Sequence, residues 1–183
     1  MPRRFAVVDG SKSESGYARR VQTFLPCRDF ADSAKLLDPR RLGKQRAETI
    51  QVLRAITVPG YGWRHHPAAA MWAGYEEALV CYGLAISEAW LQRGHQDTTA
   101  ATLLADLKAG TGLDGVREQN ELIRAGEVPP WLGDQAFHLS HQSSLVRKDP
   151  GFYRRLLPDV ADDLPYVWPA SDRRRRVPIH DQG

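Results

Sequence analysis

The stretch from Asp38 to Ile56, DPRRLGKQRAETIQVLRAI, constrains the fold more than any other. Asp at an N-cap accepts hydrogen bonds from free backbone N–H groups. Pro fits the first helical position because its missing N–H would be unpaired there anyway. Leu42, Thr49, Leu53 and Ile56 recur at helical spacing and predict a buried stripe. Arg41, Lys44, Glu48 and Gln51 recur at the same spacing and predict a second, polar stripe. Pro59-Gly60 ends the helix. Within residues 40–54 five cations surround a single acid, Glu48.

The same signals organise the rest of the chain. VQTFLP, residues 21–26, reads as an extended segment anchored by Phe24 and Leu25. A short helix is expected from Asp29 to Leu37. The longest helix is expected from Ala68 to Arg93, with Trp72, Tyr75, Leu79, Tyr82, Ile86 and Trp90 on one apolar face and Gly94 beyond its end. Asp97 and Asp134 cap further helices, to Lys108 and Lys148, with a short helix at Val116–Arg124 between them. Asp149-Pro150 repeats the cap-plus-proline device and opens a helix over Gly151–Leu157. Residues 158–169 are irregular and expected to pack Tyr166 and Trp168 on the body. No internal repeat and no strand pair is evident. The expected fold is all-α: a compact single-domain helical bundle over residues 21–170 with irregular termini. Residues 1–20 read as a disordered or mis-annotated extension, and residues 171–183 as a basic flexible tail.

Charge is sorted along the chain. Residues 1–20 carry five Lys/Arg against two Asp/Glu, which accounts for the whole net charge of +3. The span 76–134 has four cations and ten acids, whereas 147–155 has four cations and one acid. This pattern suits a molecule with one basic face, which favours a polyanion, although ordinary solvated helices produce it too. No apolar run is long enough to span a membrane and the N-terminus lacks a secretory h-region, so a cytoplasmic protein is expected. Cys27 and Cys81 are expected as reduced, buried thiols.

Several groups are candidates for chemistry. Lys44 and Glu48 form an i,i+4 pair, which is either a solvated ion pair or a carboxylate kept charged for work on a sugar or a proton. Arg40, Arg41 and Arg46 lie beside it and are candidate phosphate contacts. His66 precedes a helix and either caps it or meets a phosphate. His138, His141 and Gln142 share a helix face; two histidines alone make no metal site, and no metal or organic cofactor is expected. Arg147 and Lys148 are a second candidate phosphate grip.

In order, these pieces resemble the pyrimidine-dimer DNA glycosylases of the phage endonuclease V type. RRLGKQRAETIQVL is similar to the helix that carries the family's catalytic glutamate, with Glu48 at that position. WLQRGHQDTT is similar to a later helix end, and SHQSSLVRKDPGFYRR to the family's C-terminal region. A set of uncharacterised bacterial proteins opening with Gln-Thr-Phe-Leu-Pro resembles the chain closely over roughly residues 21–169. The resemblance implies a compact helical fold and a DNA-repair activity on damaged duplex DNA; no membrane and no obligate protein partner is expected. The implied reaction is cleavage of the glycosidic bond at a damaged pyrimidine, with AP-lyase β-elimination after it. The implied nucleophile is the chain's α-amine, and Glu48 assists at the sugar.

Three features depart from the family pattern. Residues 1–20 precede VQTFLP, so the implied amine belongs to position 21 only if the native chain starts at Val21. Gln22 stands where the family has threonine, and Ala47 where it has the arginine before the glutamate. Lys44, one turn before Glu48, is the alternative imine-forming amine. A non-catalytic nucleic-acid-binding module and a nucleotide- or sugar-processing enzyme of the same fold remain the competing readings.

Overall fold

The computed structural model describes residues 21–175, so the expectations for 1–20 and for the end of the tail lie outside the described residues. Its elements run α1 (Phe30–Leu36), α2 (Pro39–Thr57), α3 (Pro67–Trp72), α4 (Glu76–Gln92), α5 (Thr99–Thr111), α6 (Gln119–Arg124), α7 (Gln135–Lys148) and α8 (Pro150–Tyr153), with no strand among the described residues. The all-α expectation is therefore met. No helix of the described residues is long and apolar enough to cross a membrane.

Helix α2 is the hub. Asp38 caps it as expected, its carboxylate accepting from the Arg41 N–H at 3.1 Å. Leu42, Val52, Leu53 and Ile56 are buried against α4 and α5. The three helices meet at Gly83 of α4, where a Cβ would lie 2.5 Å from Leu103 Cδ1 and 2.8 Å from Thr49 Cγ2. Only hydrogen fits there. Trp72, Tyr82, Phe30, Trp131 and Phe137 fill the core beside this hub, with Trp72 edge-on to Trp131 at 4.9 Å between ring centroids. Cys27 and Cys81 are free thiols, and both are only partly buried rather than enclosed.

The expected helix from Ala68 to Arg93 is two helices. It breaks at Gly74, which adopts φ of +78°, and Glu76 turns its side chain back to accept from the Gly74 N–H at 3.0 Å. The cause is tertiary. A strap of residues 158–175 crosses this point, and a Cβ on Gly74 would sit 2.5 Å from Arg173 Cβ. Tyr75 donates to Asp172 at 2.7 Å, and Arg173 pairs with Glu127 and lies over the Tyr75 ring at 4.3 Å. Residues 171–173, expected in a flexible tail, are thus bonded to the body. The helices expected at Val116–Arg124 and Gly151–Leu157 are shorter, at Gln119–Arg124 and Pro150–Tyr153.

Candidate active site

The extended segment 21–27 lies among the helices with no partner strand. Its hydrogen-bonding groups must still be satisfied, because a buried unpaired backbone group is costly. Side chains do this. Gln45 Nε2 donates to Gln22 O at 2.8 Å, Tyr82 to Phe24 O at 2.9 Å, and Gln142 to Pro26 O at 2.7 Å. Ser33 serves Cys27 O at 2.9 Å, and the Tyr166 hydroxyl approaches Thr23 O at 3.5 Å. His138 Nδ1 meets Leu25 O at 2.8 Å, while His141 Nδ1 accepts from the Leu25 N–H at 3.0 Å.

The last two contacts fix both histidine tautomers. His138 Nε2 accepts from the Gly133 N–H at 2.9 Å, so its proton is on Nδ1 and bonds Leu25 O. His141 Nδ1 is an acceptor, so its proton is on Nε2, which is buried without a partner. Burial pushes both pKa values down, furthest for His141, and both rings are neutral. Fully enclosed among Phe24, Phe137 and Tyr166, His141 holds backbone and does not reach the surface.

Glu48 sits beneath the start of this segment. It is only 3% exposed although it belongs to the polar stripe of α2. Gln45 Nε2 donates to its Oε2 at 2.6 Å, and Lys44 Nζ lies 3.0 Å from its Oε1. Through the same Gln45 amide the carboxylate is bridged to the Gln22 backbone carbonyl, which accepts at 2.8 Å. Burial raises its pKa to about 7, against the opposing pull of Lys44, the Gln22 backbone and Lys148. At neutral pH both protonation states are therefore populated, which suits a group that gives and takes a proton. The surrounding cations hold it ionised less completely than their number suggests, because desolvation is the larger effect.

Sequence reasoning missed Gln45, which is fully buried and uses both ends of its amide. Its Oε1 accepts from the Phe24 N–H and lies 2.8 Å from the Tyr82 hydroxyl, while its Nε2 bridges Gln22 O and Glu48. The available signal was its place one turn before Glu48 on the same helix.

A cleft of about 570 Å³ opens at Val21 and Gln22, with His66, Lys148, Tyr166 and Trp168 in its walls. His66 caps α3, its Nδ1 accepting from the Ala68 N–H at 3.1 Å, and burial lowers its pKa. The predicted phosphate contacts divide. Arg40 and Lys44 are exposed, as is Lys148. Arg41 is turned to Asp38 at 2.7 Å. Arg46 pairs with the buried Asp97 carboxylate at 2.9 Å and lies over the Trp90 ring. Arg147 donates to Asp162 O at 2.6 Å and so holds the strap. Among the described residues no three His, Cys, Asp or Glu gather as a metal-binding group.

No curated protein and no solved structure matches the chain. The family model described as pyrimidine dimer DNA glycosylase matches residues 21–103, from the side-chain-held segment through Glu48 to Leu103 on α5. Over those residues, a little under half of the chain, the protein is similar to the pyrimidine dimer DNA glycosylases, a family of DNA-repair enzymes that act on DNA.

Proposed function

We propose that this protein is a DNA glycosylase with AP-lyase activity, cleaving the glycosidic bond of a damaged pyrimidine nucleotide with Glu48 as its acid–base group. The observation that carries the reading is a buried carboxylate, Glu48, that Gln45 bridges to the backbone of Gln22 and whose pKa burial raises to about 7. An amine at position 21 would stand one residue from that contact. In a chain that begins there, the amine is uncharged often enough near neutral pH to attack. In a chain where Val21 is an internal residue its nitrogen is an amide, and Lys44, with Nζ at 3.0 Å from Glu48, is the amine at hand.

The reaction then balances as follows. The amine nitrogen bonds to C1′ as the glycosidic C–N bond breaks, and the base leaves with a proton. Protonated Glu48 gives its proton to the ring oxygen as the sugar opens to an imine. The resulting carboxylate removes a C2′ proton, the 3′-phosphate departs, and water hydrolyses the imine to restore the amine. Lys148 lines the cleft, and the exposed Arg40 and Lys44 of α2 are the further candidates for phosphate contacts.

Borohydride reduction on abasic and on ultraviolet-damaged DNA tests the reading. The expected product is a covalent adduct that peptide mapping assigns to residue 21 or Lys44. Absence of an adduct together with absence of base release sinks it.

A further inference from the structure

A second concavity shares no lining residue with the cleft. Its volume is about 460 Å³, and α1, α4, α5 and the loop into α6 enclose it. The half-buried part of its lining is apolar, with Leu84, Ala85 and Val116, and Leu91 continues it while staying 44% exposed. A lone exposed leucine needs no partner, but one that extends a concave apolar surface adds to a patch that can bury an incoming side chain.

The walls of this groove are fixed. Gln119 ties α6 to the start of α1, its Oε1 accepting from the Phe30 N–H at 2.8 Å and its Nε2 donating to Arg28 O at 2.9 Å. Arg117, the cation of the lining, is engaged by Glu77 of α4, with Nε and Nη2 donating to the two carboxylate oxygens at 2.9 and 2.7 Å. This pair holds the loop against α4 and cancels the one positive charge of the lining.

What remains is negative. Asp29, Glu88 and Glu118 are exposed in the lining. Their hydrogen bonds go to neutral donors: the Asp32 N–H at 2.9 Å, the Gln92 amide at 2.9 Å and the backbone of α6. The fields of these acids converge on the groove. The Cys81 thiol in its lining has its pKa pushed up to about 12, by burial first and then by Glu118, Glu77 and Asp29. The span 76–134, which supplies most of this surface, has ten acids against four cations. Such a surface repels a polyanion and attracts a cation.

We propose that this groove is a docking site for a cationic segment of a protein partner, which sets an apolar anchor between α4 and the loop before α6 and its Arg or Lys side chains against Asp29, Glu88 and Glu118. Charge complementarity selects that occupant. The apolar lining supplies affinity, and the acids supply orientation and rate of encounter. The site is independent of the glycosylase reading, which uses none of these residues.

The test uses the full chain and a fluorescein-labelled peptide of three Arg-Leu-Ala-Arg repeats, with binding read by anisotropy. Saturable binding is expected, weakened about fivefold or more by Glu88→Lys and about tenfold by Leu91→Ser. Both side chains are exposed, so both variants should keep the fold, which the helical spectrum checks. Asp159→Lys, the same charge change on an exposed residue outside the groove, should leave the affinity within about twofold of the parent. Peptides with serine for leucine, or glutamate for arginine, should each lose the interaction. Absence of saturable binding overturns the site. Binding that survives the serine replacement, or that Asp159→Lys weakens as much as Glu88→Lys does, reduces the contact to diffuse charge and also overturns it. Self-association of the parent that Glu88→Lys and Leu91→Ser abolish would assign the groove to a second copy of this chain and overturn the cationic partner.

Discussion

The backbone of Gln22 and the carboxylate of Glu48, twenty-six positions apart in the chain, are joined through one amide. Gln45 Nε2 donates to Gln22 O at 2.8 Å and to Glu48 Oε2 at 2.6 Å. The extended segment and α2 therefore cannot shift independently at this point. In the proposed reaction this bridge would hold an amine at position 21 and Glu48 in fixed relation, which a short-range attack at C1′ requires.

Replacing Glu48 by Gln should lower turnover about 10²–10⁴-fold while sparing DNA affinity. It should also change the pH dependence of stability. The folded protein keeps the Glu48 proton up to about pH 7, whereas a carboxyl with its ordinary value of 4.5 has lost it by then. The folded state thus binds more protons across that window, so Glu48 makes the protein progressively less stable as pH rises from about 4.5 to 7. At ~1.4 kcal/mol per pH unit the accumulated difference is up to about 3 kcal/mol. The buried histidines act in the opposite sense, since their lowered pKa values cost stability as pH falls below 6.5. Comparing urea unfolding of Glu48→Gln with the parent at each pH cancels that contribution. A stability difference that does not grow in favour of the variant toward pH 7 would contradict the raised value.

Much of this arrangement was legible in the sequence, and the failures have a common cause. The helix from Asp38, the caps at Asp134 and Asp149, and the break after residue 57 follow from local chemistry that tertiary packing did not override. Glu48 stood out in the sequence from the count of cations around it. Its burial did not, because the segment that covers it, 21–24, is remote in sequence. The same distance hid Gln45, whose four partners include Phe24 and Tyr82. Arg46 and Arg147 looked like phosphate grips because a cation's partner is decided by what folds next to it. Here those partners are Asp97 and the strap. Gly74 looked like a tolerated glycine within one long helix because the strap that selects its left-handed conformation lies nearly a hundred residues away.

Gln45→Leu should be more damaging than its uncharged character suggests. It leaves Gln22 O and the Phe24 N–H without their partner in the interior, each at a cost of about 1–3 kcal/mol. It also removes a donor from the ionised Glu48, so the carboxylate becomes harder to form. The acid limb of the rate profile should move to higher pH by a measurable fraction of a unit, on top of the loss in melting temperature. Gln45→Glu would place a second carboxylate beside the first and should raise the apparent pKa of the pair further. A rate profile unmoved by either variant would separate Gln45 from the acid–base group.

Two arginines on α2 that look alike in sequence should behave differently. Arg40 is exposed, and Arg40→Ala should leave stability within ~0.5 kcal/mol of the parent. It should reduce the slope of log K for DNA against log salt by about 1. Arg46 is the partner of an Asp97 side chain that is 1% exposed, so Arg46→Ala leaves a buried carboxylate without its cation. A destabilisation of about 3–5 kcal/mol is expected, with the salt slope unchanged where the variant still folds. Salt titrations and chemical unfolding of the two variants side by side check both statements.

Gly74→Ala tests whether the strap must be docked for the cleft to work. Ala at a φ of +78° costs about 1–2 kcal/mol on backbone grounds alone. Its Cβ would also stand 2.5 Å from Arg173 Cβ and 2.9 Å from Arg174 O, which forces the strap away from the turn between α3 and α4. The bonds from Tyr75 to Asp172 and from Arg173 to Glu127 lie next to that contact and should be lost with it. Limited trypsin digestion should then cut after Arg173 and Arg174 faster than in the parent, while the buried helices α2, α4 and α5 keep their protection. DNA affinity should fall in parallel, because the cleft wall at 163–168 is continuous with the displaced segment. A variant cut faster at these arginines but binding DNA as the parent does would show that the distal end of the strap moves without carrying Tyr166 and Trp168 along.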